Sequence, residues 1–242
     1  MAFEIPQWFS HFKHFGFIGG FFSDQHSPLM GSDYIVSTPA GSPDSRPGMA
    51  DVDPNDLILR EEVIDSRNRL CGYRFVPATL AAGNKIPEPL FYQALLDTGI
   101  VKFAQRRTAI VPVTPEGLVL RRYRSLWASN AFLLIDVRDA EMRDEELLAH
   151  LSAIREFGCR TALTGIVTAS VDTPLLRAAN MLILDSPADA DPDFQSLVQA
   201  LRINCPMLKL AAQGVQSWAE RCRNKTWGIE YCLGDFVLAP PA

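Results

Sequence analysis

The sequence predicts an α/β protein, a modified (β/α)8 TIM-like barrel with a flexible, aromatic-rich extension at its N-terminus. Three observations carry this. Short apolar strands recur from Leu57 to Pro241, amphipathic helical patterns separate most of them, and a polar four-residue turn joins the first two. Strand–helix alternation with crossovers of this length makes a parallel sheet, and this many units favours a closed barrel over an open sheet.

Residues 1–55 differ in composition from residues 56–242. Phe3, Phe9, Phe12, Phe15, Phe17, Phe21 and Phe22 put half of the 14 phenylalanines into the first 22 residues, with Trp8 among them. Gly16, Gly19 and Gly20 interrupt any long helix there. From Asp24 the chain turns Ser-, Pro-, Gly- and Asp-rich, a linker composition with too little apolar area to offset the entropy of ordering.

The barrel elements follow in order. Leu57–Ile64 and Cys71–Val76 read as strands of a hairpin closed by Asp65-Ser-Arg-Asn68. So short a loop reverses the chain, so the first strand is expected antiparallel to the others. Residues 89–106 carry one helical pattern and Thr108–Val113 the third strand. Phe132–Val137, Thr161–Gly165, Met181–Leu184, Met207–Leu210 and Ile229–Tyr231 are the later strands. Between them, the segment 144–157 places Leu147, Leu148, Leu151, Ile154 and Phe157 on one face, with acidic residues in its first turn and Gly158 at its stop. Further helices are expected at about 192–203 and 216–225.

Composition excludes several functions. A net charge of −5 on 242 residues argues against a nucleic-acid-binding surface. No apolar run approaches the ~20 residues of a membrane span. The five cysteines (Cys71, Cys159, Cys205, Cys222, Cys232) are odd in number and without metal-type spacing. With no signal peptide, they imply reduced thiols and a cytoplasmic protein. His11 and His14 share a helical face, which reads as a zinc half-site or, better, as part of an aromatic partner surface. Arg121, Arg122 and Arg124 form a basic cluster whose plain reading is a solvated face.

Several segments resemble the EAL family, the barrels that hydrolyse cyclic di-GMP. Leu59-Arg-Glu-Glu-Val-Ile-Asp65 is similar to the family's opening motif, and Gly72-Tyr-Arg-Phe-Val76 to the signature strand of the subgroup that joins EAL to an HDOD domain. The segments 132–165, Leu176–Asp185, Ala211–Gln216 and Gly228–Phe236 resemble later motifs in matching order. The resemblance implies an EAL-type barrel with two divalent cations at the strand ends, where hard oxygen ligands activate a water. It also implies where those ligands belong. The signature Glu is Arg74, the third-strand Asn is Pro112, and the fourth-strand Glu is Asp136. The paired aspartates are Thr164 and Gly165, the lysine is Ile183, the Glu before Gly214 is Gln213, and the late Gln is Leu233. One carboxylate of the set survives, so the expectation is a degenerate, catalytically inactive member with no metal or cofactor. Asp139 or Asp185 would be recruited only if the alignment slips by a residue.

The family grips its dinucleotide through a Gln and an Arg that fall on Glu61 and Ala78, so cyclic di-GMP binding is expected to be weak or absent. The reading that follows is a protein-interaction, regulatory or assembly module. Its partner is another protein, docked by Phe3, Trp8, Phe9, Phe12, Phe15, Phe17, Phe21 and Phe22. The alternatives are a non-hydrolysing cyclic di-GMP receptor and an arm that packs on its own barrel. Arg74 is expected to replace the cation and to pair with Asp136.

Overall fold

The structure, a computed structural model, describes residues 53–79, 86–138, 144–166 and 174–237, all within one unit, Pro47–Ala242. The aromatic arm and the His11/His14 pair lie outside these residues, as does Asp139.

Eight strands close into a barrel in sequence order. They are β1 (Ile58–Asp65), β2 (Leu70–Pro77), β3 (Thr108–Pro112), β4 (Ala131–Asp136), β5 (Arg160–Thr164), β6 (Met181–Asp185), β7 (Lys209–Gln213) and β8 (Tyr231–Leu233). β1 runs antiparallel to both its neighbours, and every pair from β2 to β8 is parallel. The hairpin turn explains the reversal. Asp65 Oδ1 accepts from the backbone N–H groups of Arg67 and Arg69, its other oxygen takes the Arg69 guanidinium at 2.8 Å, and Asn68 adopts φ 58°. This Asx geometry closes the loop without need of glycine.

The helices are α1 (Glu88–Asp97), α2 (Ile100–Ala104), α3 (Pro115–Val119), α4 (Asp144–Glu156), α5 (Pro174–Ala178), α6 (Pro192–Asn204) and α7 (Trp218–Trp227). The single helical pattern expected at 89–106 is two helices. Gly99 sits between them at φ 77°, a conformation that ends α1 and is open mainly to glycine. α4 buries Leu147, Leu151 and Ile154 against the barrel. Phe157, expected on the same face, falls past the helix end and is 39% exposed, beneath the Arg124 guanidinium. Of the basic cluster, Arg122 pairs with Glu116 at 2.9 Å and lies near Glu88, so it is tied into its own surface.

Apolar side chains fill three regions. One lies under α4–α7, one under α1 and α2, and one inside the barrel, built from Val63, Ile110, Phe132, Leu134, Ala162, Met181, Ile183, Ala211 and Leu233. The last is the packed interior of a small barrel rather than a channel. Polar side chains stand beyond it at the strand ends, among them the carboxyl ends of the parallel strands.

Candidate functional site

Side chains alternate along a strand. The residues two positions beyond the interior layer therefore ring the mouth: Arg74 on β2, Pro112 on β3, Asp136 on β4, Thr164 on β5, Asp185 on β6 and Gln213 on β7. Glu61 joins them from antiparallel β1, where it stands opposite Arg74 in register. The mouth cavity is about 330 Å³ and is lined by Glu61, Arg74, Asp185, Gln213, Gly214, Val215, Gln216, Gly234 and Asp235.

One hydrogen-bonded chain crosses it. The Arg74 guanidinium is ion-paired to Glu61 and donates to Gln213 Oε1, spanning the barrel from β2 to β7. Gln213 Nε2 in turn donates to Asp185 Oδ1 at 2.7 Å and reaches Thr164 Oγ1 at 3.4 Å. Gln213 thus accepts from a cation on one side and donates to an anion on the other, which fixes its amide orientation.

Asp136 belongs to a separate unit. Its carboxylate takes the Arg138 guanidinium at 2.8 and 3.1 Å and the Arg138 backbone N–H at 3.0 Å. Hydrogen bonds from the Arg138 side chain hold its pKa below the usual carboxylate range, against the opposing effect of burial. Gly165 makes room for the pair: a Cβ there would stand 2.2 Å from Asp136 Oδ1. The expected Arg74–Asp136 contact is therefore corrected. Arg74 turns to Glu61 and Asp136 to Arg138, because each has a nearer partner of opposite charge on an adjacent strand or turn.

A further network supports the rim. Glu88, at the start of α1, accepts from the Thr114 backbone N–H at 2.7 Å and from Tyr92 Oη at 3.0 Å, while Tyr92 also reaches the Pro112 carbonyl. Burial beside this carboxylate pushes the Tyr92 phenol far above its ordinary range.

Of the residues singled out in sequence, Arg74, Pro112, Asp136, Thr164 and Gln213 stand at the mouth, with Gly165 just beyond β5. Ile183 and Leu233 lie in the apolar interior, at 1% and 0% exposure. The polar residues their strands bring to the mouth are Asp185 and, after β8, Asp235. Arg138 and the pairing of Glu61 with Arg74 were not foreseen.

Two divalent cations do not fit this donor set. A guanidinium occupies the mouth on β2, Pro112 offers no side-chain oxygen, Thr164 and Gly165 bring no carboxylate, and of the carboxylates present Asp136 is committed to Arg138, Glu61 to Arg74 and Asp185 to Gln213. Among the described residues, no group of three or more His, Cys, Asp or Glu is placed to hold a metal ion. Nor is any described helix long and apolar enough to cross a membrane.

No family model and no curated protein sequence matches the chain. Solved structures do match. The Bacillus subtilis YkuI protein, which has an EAL domain and was crystallised with substrate c-di-GMP and calcium, superposes with a TM-score of 0.59 at 14% identity, over 78% of this chain and 56% of its own. This chain thus spans little more than half of that protein. The EAL domain of Mycobacterium smegmatis DcpA gives a TM-score of 0.57 at 16% identity, over 78% of this chain and 93% of its own. The Xanthomonas citri FimX EAL domain, in complex with c-di-GMP, gives 0.54 at 14% identity, over 78% and 90%. These neighbours correct the expected partner, another protein with cyclic di-GMP set aside, since barrels of this shape are found holding that nucleotide. The exclusion rested on Glu61 as a charge facing phosphate and on Ala78 standing where the family has an Arg. In the structure the Glu61 charge is paired with Arg74, while Ala78 is buried and supplies no cation. At identities this low the likeness is one of architecture: the chain has the barrel fold of the EAL domains.

Proposed function

We propose that this chain is a degenerate EAL barrel, resembling the EAL–HDOD subgroup, that acts as a regulatory module binding cyclic di-GMP without hydrolysing it. The observation that carries the reading is the Glu61–Arg74–Gln213–Asp185 chain across the mouth. A guanidinium stands where hydrolysis calls for a metal-binding carboxylate, and it is held by partners on two strands. With no pair of cations to polarise a phosphodiester or activate water, the barrel lacks the means of cleavage. It keeps a cavity at the strand ends, the usual place for ligands in barrels of this architecture. The neighbours' ligand supports cyclic di-GMP as the molecule that enters it.

The test is a titration calorimetry experiment on the full chain with cyclic di-GMP, run beside a chromatographic assay for the linear dinucleotide in Mg²⁺ and in Mn²⁺. Binding without linear product is the expected result. Metal-dependent formation of linear product overturns the non-hydrolysing reading, and absence of binding overturns the receptor reading.

A further inference from the structure

The mouth's charges and size bear on which part of a ligand it grips. Among the described residues lining the cavity, Glu61, Asp185 and Asp235 set three carboxylates against the guanidinium of Arg74, and Glu61 already neutralises that guanidinium. Asp185 and Asp235 remain, both exposed at the rim. Their field repels a phosphate and favours groups that donate hydrogen bonds. Gly214, in the same lining, has open space above it, where a flat group can lie. At about 330 Å³ the cavity is at the small end for ligand sites, and suits a single base with its sugar better than a whole cyclic dinucleotide.

We propose that the mouth engages its ligand by the edge of a guanine base and leaves the phosphates outside. Guanine carries adjacent N1–H and 2-amino donors, which match a carboxylate, and O6 and N7 acceptors, which match a guanidinium. Asp185 and Asp235 supply the acceptors and Arg74 the donor. This rests on the reading of the mouth as the ligand site, and it specifies that site's chemistry.

The experiment is titration calorimetry on the full chain with guanosine, inosine and cyclic di-GMP, at low and high salt. Guanosine is expected to bind within about tenfold of cyclic di-GMP, with affinity unaffected by salt because no charge is neutralised. Inosine, which lacks the 2-amino group, should bind at least about tenfold more weakly, as should guanosine to Asp235→Asn. Asp235 is exposed, so that variant should melt with the parent. If cyclic di-GMP binds but guanosine does not, or if guanosine and inosine bind equally, the base-edge inference fails while the receptor reading stands. If neither guanosine nor cyclic di-GMP binds, both fail.

Discussion

The Asp136 carboxylate accepts three hydrogen bonds from Arg138 and has its pKa lowered by them. A carboxyl whose folded pKa is depressed stabilises the fold above its unfolded value, near 3.9, and loses that contribution as pH falls through the folded value. Asp136→Asn is therefore expected to cost about 1 kcal/mol at pH 7, with the difference from the parent shrinking as pH falls below about 3.9, as measured by urea melts across that range. A constant difference across that range would separate the loss from ionisation. Arg74 is the counterpart whose type was legible but whose partner was not. Counting back from the Asp65–Arg69 turn pairs Glu61 with Tyr73. One extra residue in β2, a bulge marked by the register shift at Val63/Ile64, moves the pairing to Arg74. A slip of one residue reverses which face of a strand a side chain occupies. The bulge has no sequence signature at Cys71, so the ion pair at the centre of the mouth was beyond reach of pattern alone.

Among the elements, α4 shows where periodicity succeeds and where it stops. Leu147, Leu151 and Ile154 recur at helical spacing and are buried, whereas Phe157 continues the same rhythm after the helix has ended. Leu151→Ala is expected to cost about 2–5 kcal/mol, the transfer and cavity loss of a core leucine. Phe157→Ala should cost less than about 1 kcal/mol, the value of an exposed cation–π contact. Equal losses in chemical denaturation would mean that the apolar stripe extends through Phe157. The break at Gly99 has the same lesson in reverse. The apolar rhythm of 89–106 runs across it without interruption, and only the need for a positive φ at that residue divides α1 from α2.

Across the molecule, strand order and closure were readable because each strand is a local apolar run whose neighbour follows in sequence. The mouth was only partly readable because its residues, from Glu61 to Asp235, come from different strand ends and meet only after closure. Closure also sets the thiol chemistry. Burial pushes Cys71, Cys159 and Cys232 up to about 11, while Cys222 is exposed on α7. A thiol reagent at pH 8 should label Cys222 of the native protein rapidly and the other cysteines only as the barrel unfolds. A fast phase that survives Cys222→Ser would show the barrel to be open elsewhere.

The reversed first strand also decides where the polypeptide joins and leaves its barrel. In a barrel with every strand parallel, the first strand starts at the floor and the last finishes at the rim. Here β1 starts beside the end of β2, with Leu57 accepting from the Ala78 N–H at 3.1 Å, and the chain leaves β8 through Gly234 and Asp235 in the mouth wall. Both tethers therefore stand on one rim. A molecule seated in the mouth lies on the same rim at which the chain enters and leaves the barrel.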